Sequence, residues 1–355
     1  MKKIYIVNAT ISHGGAERVI SILANFLVER EYEISIFTWL DMPVFYQLDE
    51  HVKVICIQKE CNSHSLLKKM LWFRKYVSRN KPHILFSFLA IFNIVTLFSL
   101  IGVKVKTIVC ERNDPRYTPF GKINRLLRNF MYNYADGILT QTENNKTYFS
   151  TKLQKKTTVI YNPILLDSEI VGKSLTVHKN KTIISVARLT PQKNQQMLIE
   201  AFASFSKKYP DYDLVIYGEG SSRDFLVRLV KDLKIQNKVS FPGVVKNVFD
   251  YVQTADMFVL SSNFEGMPNT LLEAMCIGLP CISTKVSGAV DLIKDGVNGF
   301  LVEIGNKKQM EERMCRLADS QELRSQMGRE ASKLYTHLNV DVICKKWENY
   351  IRNHI

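Results

Sequence analysis

Apolar positions along this chain fall into short continuous runs separated by stretches of helical spacing. The runs at 3–8, 33–38, 52–56, 84–88, 106–110, 137–140 and 157–160 read as strands, because a strand buried on both faces shows no polar alternation. Helical patterns lie between most of them, and such alternation predicts a parallel sheet covered on both sides. The polar stretch 167–181 reads as a linker. A second series follows, with strands at 182–186, 212–217, 238–241, 257–260 and 280–283. Turn dipeptides at Asp295-Gly296 and Asn298-Gly299 then lead into three helical patterns. The predicted class is α/β, with two Rossmann-like domains: residues 1–165, a linker at 166–180, residues 181–337, and a closing helix within 338–355. That helix carries Trp347 and Tyr350 and packs either on the second domain or back on the first. Two such domains place a ligand between the carboxyl ends of their strands.

Composition agrees. The 355 residues suit two domains, and 46% hydrophobic content supports real cores. Seven scattered cysteines, none paired at metal-ligand spacing, read as reduced thiols of a cytoplasmic protein. The apolar run after Met1-Lys2-Lys3 is too short for a signal peptide and reads as the first strand. Residues 84–103 are apolar over nearly a bilayer's thickness. Ser87, Asn93, Thr96 and Ser99 interrupt them, and a buried strand followed by a buried helix preserves the alternation; a spanning helix is the other reading.

The chemistry concentrates in Glu265-Gly266-Met267-Pro268-Asn269-Thr270-Leu271-Leu272-Glu273, which opens a helix after a strand. Pro268 suits the first helical turn, and Thr270 with Glu273 matches a capping box. A helix N-terminus attracts diphosphates. Glu265 before it and Glu273 one turn inside can reach hydroxyls on either side of a phosphate, as in a nucleotide-sugar; a simple helix cap with a solvated loop charge is the alternative. Arg188 stands just past the strand at 182–186 and Lys193 opens the next helix, where two cations would neutralise a departing diphosphate; a pair of solvated surface charges is the alternative. His13-Gly14-Gly15 after the first strand permits close approach to a phosphate, or is an ordinary tight turn. It is not Gly-x-Gly-x-x-Gly, so a nicotinamide loses support. Asp211-Tyr212-Asp213 has the form of a metal motif but enters a strand, away from the ligand-binding ends, and no cluster of His and carboxylates points to a metal.

These motifs resemble those of glycosyltransferase family 4, retaining enzymes of the GT-B fold. The match covers most of the chain and is strongest over 182–302. The resemblance implies a UDP-sugar donor and no metal cofactor. It puts Glu265 on the donor sugar, Glu273 on the ribose, and Arg188 and Lys193 on the diphosphate. Gly266, Met267, Pro268, Asn269, Thr270 and Leu271 complete the donor loop. Gly14 and Gly15 close over the donor from the first domain, and the loops holding Gly218 and Gly243 border the nucleobase. Many members carry a His after the strand corresponding to 106–110. This chain has Glu111-Arg112-Asn113-Asp114-Pro115, similar to members acting on bacterial capsular or lipid-linked glycans. Which of Glu111, Arg112 and Asn113 replaces that His stays open. Glu111 joins Glu265, Arg188 and Lys193 as a candidate catalytic group, with His13, Arg112 and Asn113 on the sugar or acceptor side.

A net charge of +14 calls for an anionic partner. Between residues 62 and 110 there is no acid, while Lys68, Lys69, Arg74, Lys75, Arg79 and Lys81 cluster. Ile123, Leu126, Phe130 and Tyr134 recur at helical spacing among Lys122, Arg125 and Arg128. Such helices are either membrane-surface elements or core helices with solvated basic faces. No nucleic-acid module is visible, so nucleic acid is not an expected partner. The expectation is a glycosyltransferase peripheral to the inner face of the cell membrane, acting on a lipid-linked glycan. A soluble acceptor and a non-catalytic binding protein are the alternatives.

Overall fold

The structure, a computed structural model, describes residues 2–175, 181–245 and 248–355. Residues 176–180 of the expected linker lie outside them. The chain begins with β1 (Lys3–Asn8), α1 (Gly15–Val28), β2 (Glu33–Thr38), β3 (Lys53–Cys56), α2 (Ile57–Glu60) and α3 (Leu66–Asn80). Next come β4 (Ile84–Phe88), α4 (Ala90–Leu100), β5 (Lys106–Cys110), α5 (Lys122–Met131) and β6 (Gly137–Thr140). Then α6 (Glu143–Thr147), α7 (Thr151–Gln154) and β7 (Thr157–Val159) complete the first series. The second runs β8 (Thr182–Val186), α8 (Gln195–Lys208), β9 (Asp213–Tyr217), α9 (Arg223–Asp232), β10 (Val239–Gly243) and α10 (Val248–Val252). It continues with β11 (Met257–Leu260), α11 (Asn269–Ile277), β12 (Cys281–Thr284), α12 (Ser287–Leu292) and β13 (Phe300–Val302). Last are α13 (Lys307–Asp319), α14 (Gln321–Ser332), α15 (Tyr335–Leu338) and α16 (Val340–Arg352).

The chain divides into two compact units, residues 1–163 with 340–355, and residues 164–339. The expected linker is partly docked structure: Gly172 N–H bonds Cys276 O at 3.0 Å within the second unit.

The first unit is a seven-stranded parallel sheet in the order β3-β2-β1-β4-β5-β6-β7. Successive strand residues point to opposite faces. Tyr5, Val7, Phe37 and Leu85 pack with Phe73 and Val77 of α3. Phe86 and Phe88, of the other parity, meet Trp347 of α16 with ring centroids 5.6 and 6.2 Å apart. Trp347 is 1% exposed, and full burial of a large apolar side chain stabilises by roughly 1.5–3 kcal/mol. The closing helix thus belongs to the first unit, where Arg30 Nε also lies 3.4 Å from Glu348 Oε2. Residues 84–103 form β4 and α4, and among the described residues no helix is long and apolar enough to cross a membrane.

Three members of the expected basic faces are bonded into the fold instead, and two of them, Lys69 and Arg128, are buried. Lys69 is 6% exposed and donates to Trp39 O and Gln58 Oε1, each at 3.3 Å. Arg74 donates to Ser99 O at 3.1 Å and Ile101 O at 2.6 Å, satisfying carbonyls at the end of α4. Arg128 is wholly buried. Lys68, Lys75, Arg79, Lys81 and Lys122 remain exposed.

The second unit is a six-stranded parallel sheet in the order β10-β9-β8-β11-β12-β13. Its core joins Ile183, Leu214, Ile216, Met257 and Val259 of the sheet to Leu198, Phe202 and Phe205 of α8. Strand order reverses between β8 and β11, and the crevice at such a switch point is where doubly wound sheets bind ligands.

Candidate active site

The loops leaving β8 and β11 are stitched together at that switch point. Asn263 N–H donates to Gln192 O at 2.8 Å, and Gln192 Nε2 donates to Phe264 O at 2.9 Å. Asn194 Nδ2 donates to Asn263 Oδ1 at 3.0 Å, and Ser261 Oγ to Lys193 O at 2.9 Å. Asn194 adopts a left-handed conformation and caps α8 by accepting from Met197 N–H, which turns the chain sharply after Lys193. This frame brings Lys193 Nζ against Glu265 Oε1 as an ion pair, with Ser262 Oγ donating to the same oxygen at 2.8 Å. The Lys193 and Glu265 side chains are 15% and 9% exposed, so the pair is weakly screened. Arg188 is exposed, while its carbonyl accepts from Gln195 Nε2 at 2.9 Å.

Glu265, Gly266, Met267 and Pro268 are buried beside this pair. Gly288 of α12 is required there: a Cβ on it would lie 2.5 Å from Gly266 O and 2.7 Å from Met267 Cα. The expected capping box does not form. Pro268 itself is the N-cap of α11, without a side-chain capping bond, and the box register is lost because Thr270 and Glu273 both lie inside the helix. The helical ladder starts with Leu272 N–H on Pro268 O at 3.1 Å. Asn269, Thr270 and Leu271 therefore supply the first-turn N–H groups and the positive end of the dipole. Leu271 is 0% exposed, so its side chain belongs to the core; Glu273 is 6% exposed on the same helix.

The glycine loops complete this edge. Gly218 has φ +130°, and a Cβ there would stand 2.0 Å from Ala187 O, so only glycine lets the β9 loop lie against the Arg188 loop. Gly218 N–H bonds Gly243 O at 2.8 Å, tying in the end of β10.

In the first unit the turn after β1 is held by Tyr46. Its hydroxyl donates to Gly14 O at 3.0 Å and accepts from Gly14 N–H at 3.4 Å. Gly14 is the N-cap of α1 and Gly15 its first residue. His13 is exposed, its ring centroid 3.8 Å from that of Phe45.

The loop after β5 departs from expectation. Glu111, a candidate catalytic group by its position in the sequence, is 1% exposed and interior. Tyr132 Oη donates to its Oε2 at 2.8 Å, and Arg128 Nη1 lies 3.6 Å away. Burial pushes its pKa up to about 7 against the opposing pull of Arg128. Arg112, 9% exposed, donates to Asn162 Oδ1, and burial lowers its pKa to about 10. Asn113 is half-buried, with Oδ1 accepting from Asp114 N–H at 2.8 Å. Glu111 and Arg112 shape this loop from inside rather than offering charge at its surface.

Asp211 and Asp213 are exposed at the start of β9 and pair with Lys181 and Lys238. Among the described residues no group of three or more His, Cys, Asp or Glu gathers as a metal site. Sequence reasoning missed Ser262, Asn194 and Tyr46. The polar triplet Ser261-Ser262-Asn263 straight after an apolar run was a usable signal for the first; nothing local marks Tyr46, which reaches Gly14 across the fold.

Two family models cover nearly the whole chain. Glycosyltransferase Family 4 matches residues 13–168 and glycosyl transferases group 1 matches residues 167–334. A Campylobacter jejuni enzyme, GalNAc-alpha-(1->4)-GalNAc-alpha-(1->3)-diNAcBac-PP-undecaprenol alpha-1,4-N-acetyl-D-galactosaminyltransferase, is 30% identical over 98% of this chain and 97% of its own. A second from that organism, N-acetylgalactosamine-N,N'-diacetylbacillosaminyl-diphospho-undecaprenol 4-alpha-N-acetylgalactosaminyltransferase, is 28% identical over 91% of this chain and 92% of its own. The crystal structure of Anabaena Alr3699/HepE in complex with UDP-glucose superposes with a TM-score of 0.85 at 19% identity, covering 99% of this chain and 100% of that one. The chain accordingly belongs to glycosyltransferase family 4, and is a glycosyltransferase of the GT-B fold.

Proposed function

We propose that this enzyme moves a sugar from a UDP-sugar to a glycan carried on a polyprenyl diphosphate, at the inner face of the cell membrane, in bacterial surface-polysaccharide assembly. The observation that carries the reading is the Lys193–Glu265 pair at the second unit's switch point, beside the N-terminus of α11. Cleavage of the bond between the anomeric carbon and the diphosphate oxygen leaves negative charge on UDP. Lys193, Arg188 and the α11 N–H groups stabilise that charge. Glu265 holds the sugar, and the acceptor hydroxyl oxygen bonds the anomeric carbon with retention, its proton passing to the departing diphosphate. The undecaprenol-linked acceptors in the names of the two Campylobacter relatives support the acceptor class, and the UDP-glucose complex of the Anabaena protein supports the donor class. The test is a screen of nucleotide-sugars for UDP release with polyprenyl-diphosphate glycans and with soluble glycans present. Release only with soluble glycans overturns the acceptor assignment.

With Lys193 and Arg188 assigned to the leaving group, transfer is expected to proceed without a metal. Purified enzyme in excess chelator should keep its rate; loss on chelation with rescue by a divalent ion would contradict this. Glu273, on α11, is expected to face the ribose. Glu273→Gln should weaken free UDP binding by roughly 10-fold or more, the worth of a charge-assisted hydrogen bond of about 1.5–3 kcal/mol. Glu265→Gln should leave UDP binding nearly unchanged. Calorimetric titration distinguishes them, and the reverse pattern would turn the donor around.

A further inference from the structure

We propose that the outward face of α5 is a membrane-docking ridge, whose apolar side chains enter the boundary between headgroups and acyl chains of an anionic bilayer. The inference rests on the lipid-linked acceptor reading for its purpose and on geometry for its location. On α5, Ile123 is 80% exposed, Leu126 69%, Leu127 36% and Phe130 59%, and Phe120, just before the helix, is 72% exposed. The same helix turns Arg128 and Met131 inward. An ordinary surface helix buries its apolar stripe; α5 leaves Ile123, Leu126 and Phe130 exposed and buries Arg128 and Met131. The interior Arg128 holds the ridge firmly, donating to Pro115 O at 3.0 Å and to Thr118 O.

The face continues sideways. Helix α4 packs beside both α5 and α3. It exposes Ile91 and Phe98, and α3 exposes Leu67 and Leu71 at 65% and 58%. Exposed apolar side chains gathered on three neighbouring helices mark an interaction site. Charge identifies the occupant as lipid. No acid occurs from residue 115 to 135 or from 62 to 110, and Lys68, Lys75, Arg79 and Lys122 are exposed. A second copy would bring the same cations against them, whereas an anionic leaflet complements them. Apolar stripe, aromatics and basic flank together are the composition of an interfacial helix. Placement fits as well. A helix following a parallel strand starts at that strand's carboxyl edge, so Phe120 and Ile123 share an edge with the loop from Glu111 to Asp114. Docking there brings the acceptor-side loop to the surface that a polyprenyl-anchored glycan cannot leave.

The test is sedimentation with glycan-free vesicles, either phosphatidylcholine alone or mixed with phosphatidylglycerol, at low salt and at about 1 M, where the screening length falls to roughly 3 Å. Wild type should bind the mixed vesicles and keep part of that binding at high salt, because apolar insertion is not screened. The triple variant Ile123→Ser, Leu126→Ser, Phe130→Ser should lose at least tenfold of the salt-resistant partitioning, with an unchanged circular-dichroism melt. Lys68→Ser with Lys75→Ser and Arg79→Ser should weaken only the low-salt component. Complete release of wild type by salt, or equal binding by the triple variant, overturns the ridge. So does a wild-type dimer in vesicle-free ultracentrifugation that the triple variant turns into a monomer, which assigns the face to a second copy. Failure of the acceptor reading appears elsewhere, as absent transfer to detergent-solubilised polyprenyl-diphosphate glycan while vesicle binding persists.

Discussion

Lys193→Ala should lower transfer by about 10²–10³-fold, the range for removing one preorganised donor to developing negative charge, while the protein stays folded. The ammonium lies against Glu265 Oε1, which Ser262 Oγ also contacts at 2.8 Å. Removing it therefore has two effects. The departing diphosphate loses a cation, and a carboxylate only 9% exposed is left without its partner beside that diphosphate. Glu265→Gln should cost a similar factor by loosening the sugar and freeing Lys193 to rotate. Groups acting as one unit are not additive. The double variant should thus be no more than about threefold worse than the poorer single variant. Single-turnover rates with saturating donor measure all three. If the logarithms of the two losses simply add, the pair does not work as a unit; if Lys193→Ala retains near wild-type turnover, the leaving-group role is lost.

Much of the second unit's site was legible because its signals are local. Apolar runs such as Met257–Leu260 mark strands, and the polar residues just past their ends must lie at the carboxyl edge. That rule puts Arg188, Lys193 and Glu265 at the candidate site. What failed was the direction of charged side chains. Lys69, Arg74 and Arg128 read as part of outward basic faces because Lys and Arg seldom lie inside, yet each satisfies carbonyl oxygens that the sequence does not reveal as needing a donor. The period of α5 showed an apolar stripe but not which way it faced, since Arg128 rather than the stripe turns inward. Glu111 follows a strand at the carboxyl edge just as Glu265 follows the β11 loop, and only Tyr132 and Arg128, from a distant segment, decide that it is interior. The capping box failed for a one-turn reason: Pro268 took the cap position and moved Thr270 inside the helix.

Arg128→Ala should destabilise the first unit by about 3–5 kcal/mol at pH 8, the usual cost of stripping one partner from a buried ion pair, and by distinctly less at pH 5. Arg128 spends its guanidinium on Pro115 O, Thr118 O and Asn129 Oδ1, so its help to Glu111 at 3.6 Å is partial. Burial accordingly wins, and Glu111 stands near 7 instead of its ordinary 4.5. Between those values the folded chain keeps a proton that the unfolded chain has released, so stability from this group falls as pH rises through the window and is flat above it. Asp114, also pushed up by burial, acts with the same sign. Without Arg128 the carboxyl rises further, and ionising it at pH 8 costs more; at pH 5 it is neutral and needs no cation. Adding Glu111→Gln to Arg128→Ala should therefore recover stability at pH 8 and change little at pH 5. Trp39, Trp72 and Trp347, the only tryptophans, all lie in the first unit, so urea melts followed by their fluorescence report on it alone. A cost independent of pH, or no recovery in the double variant, would show that Arg128 serves the 115–118 loop and that its charge does nothing for Glu111.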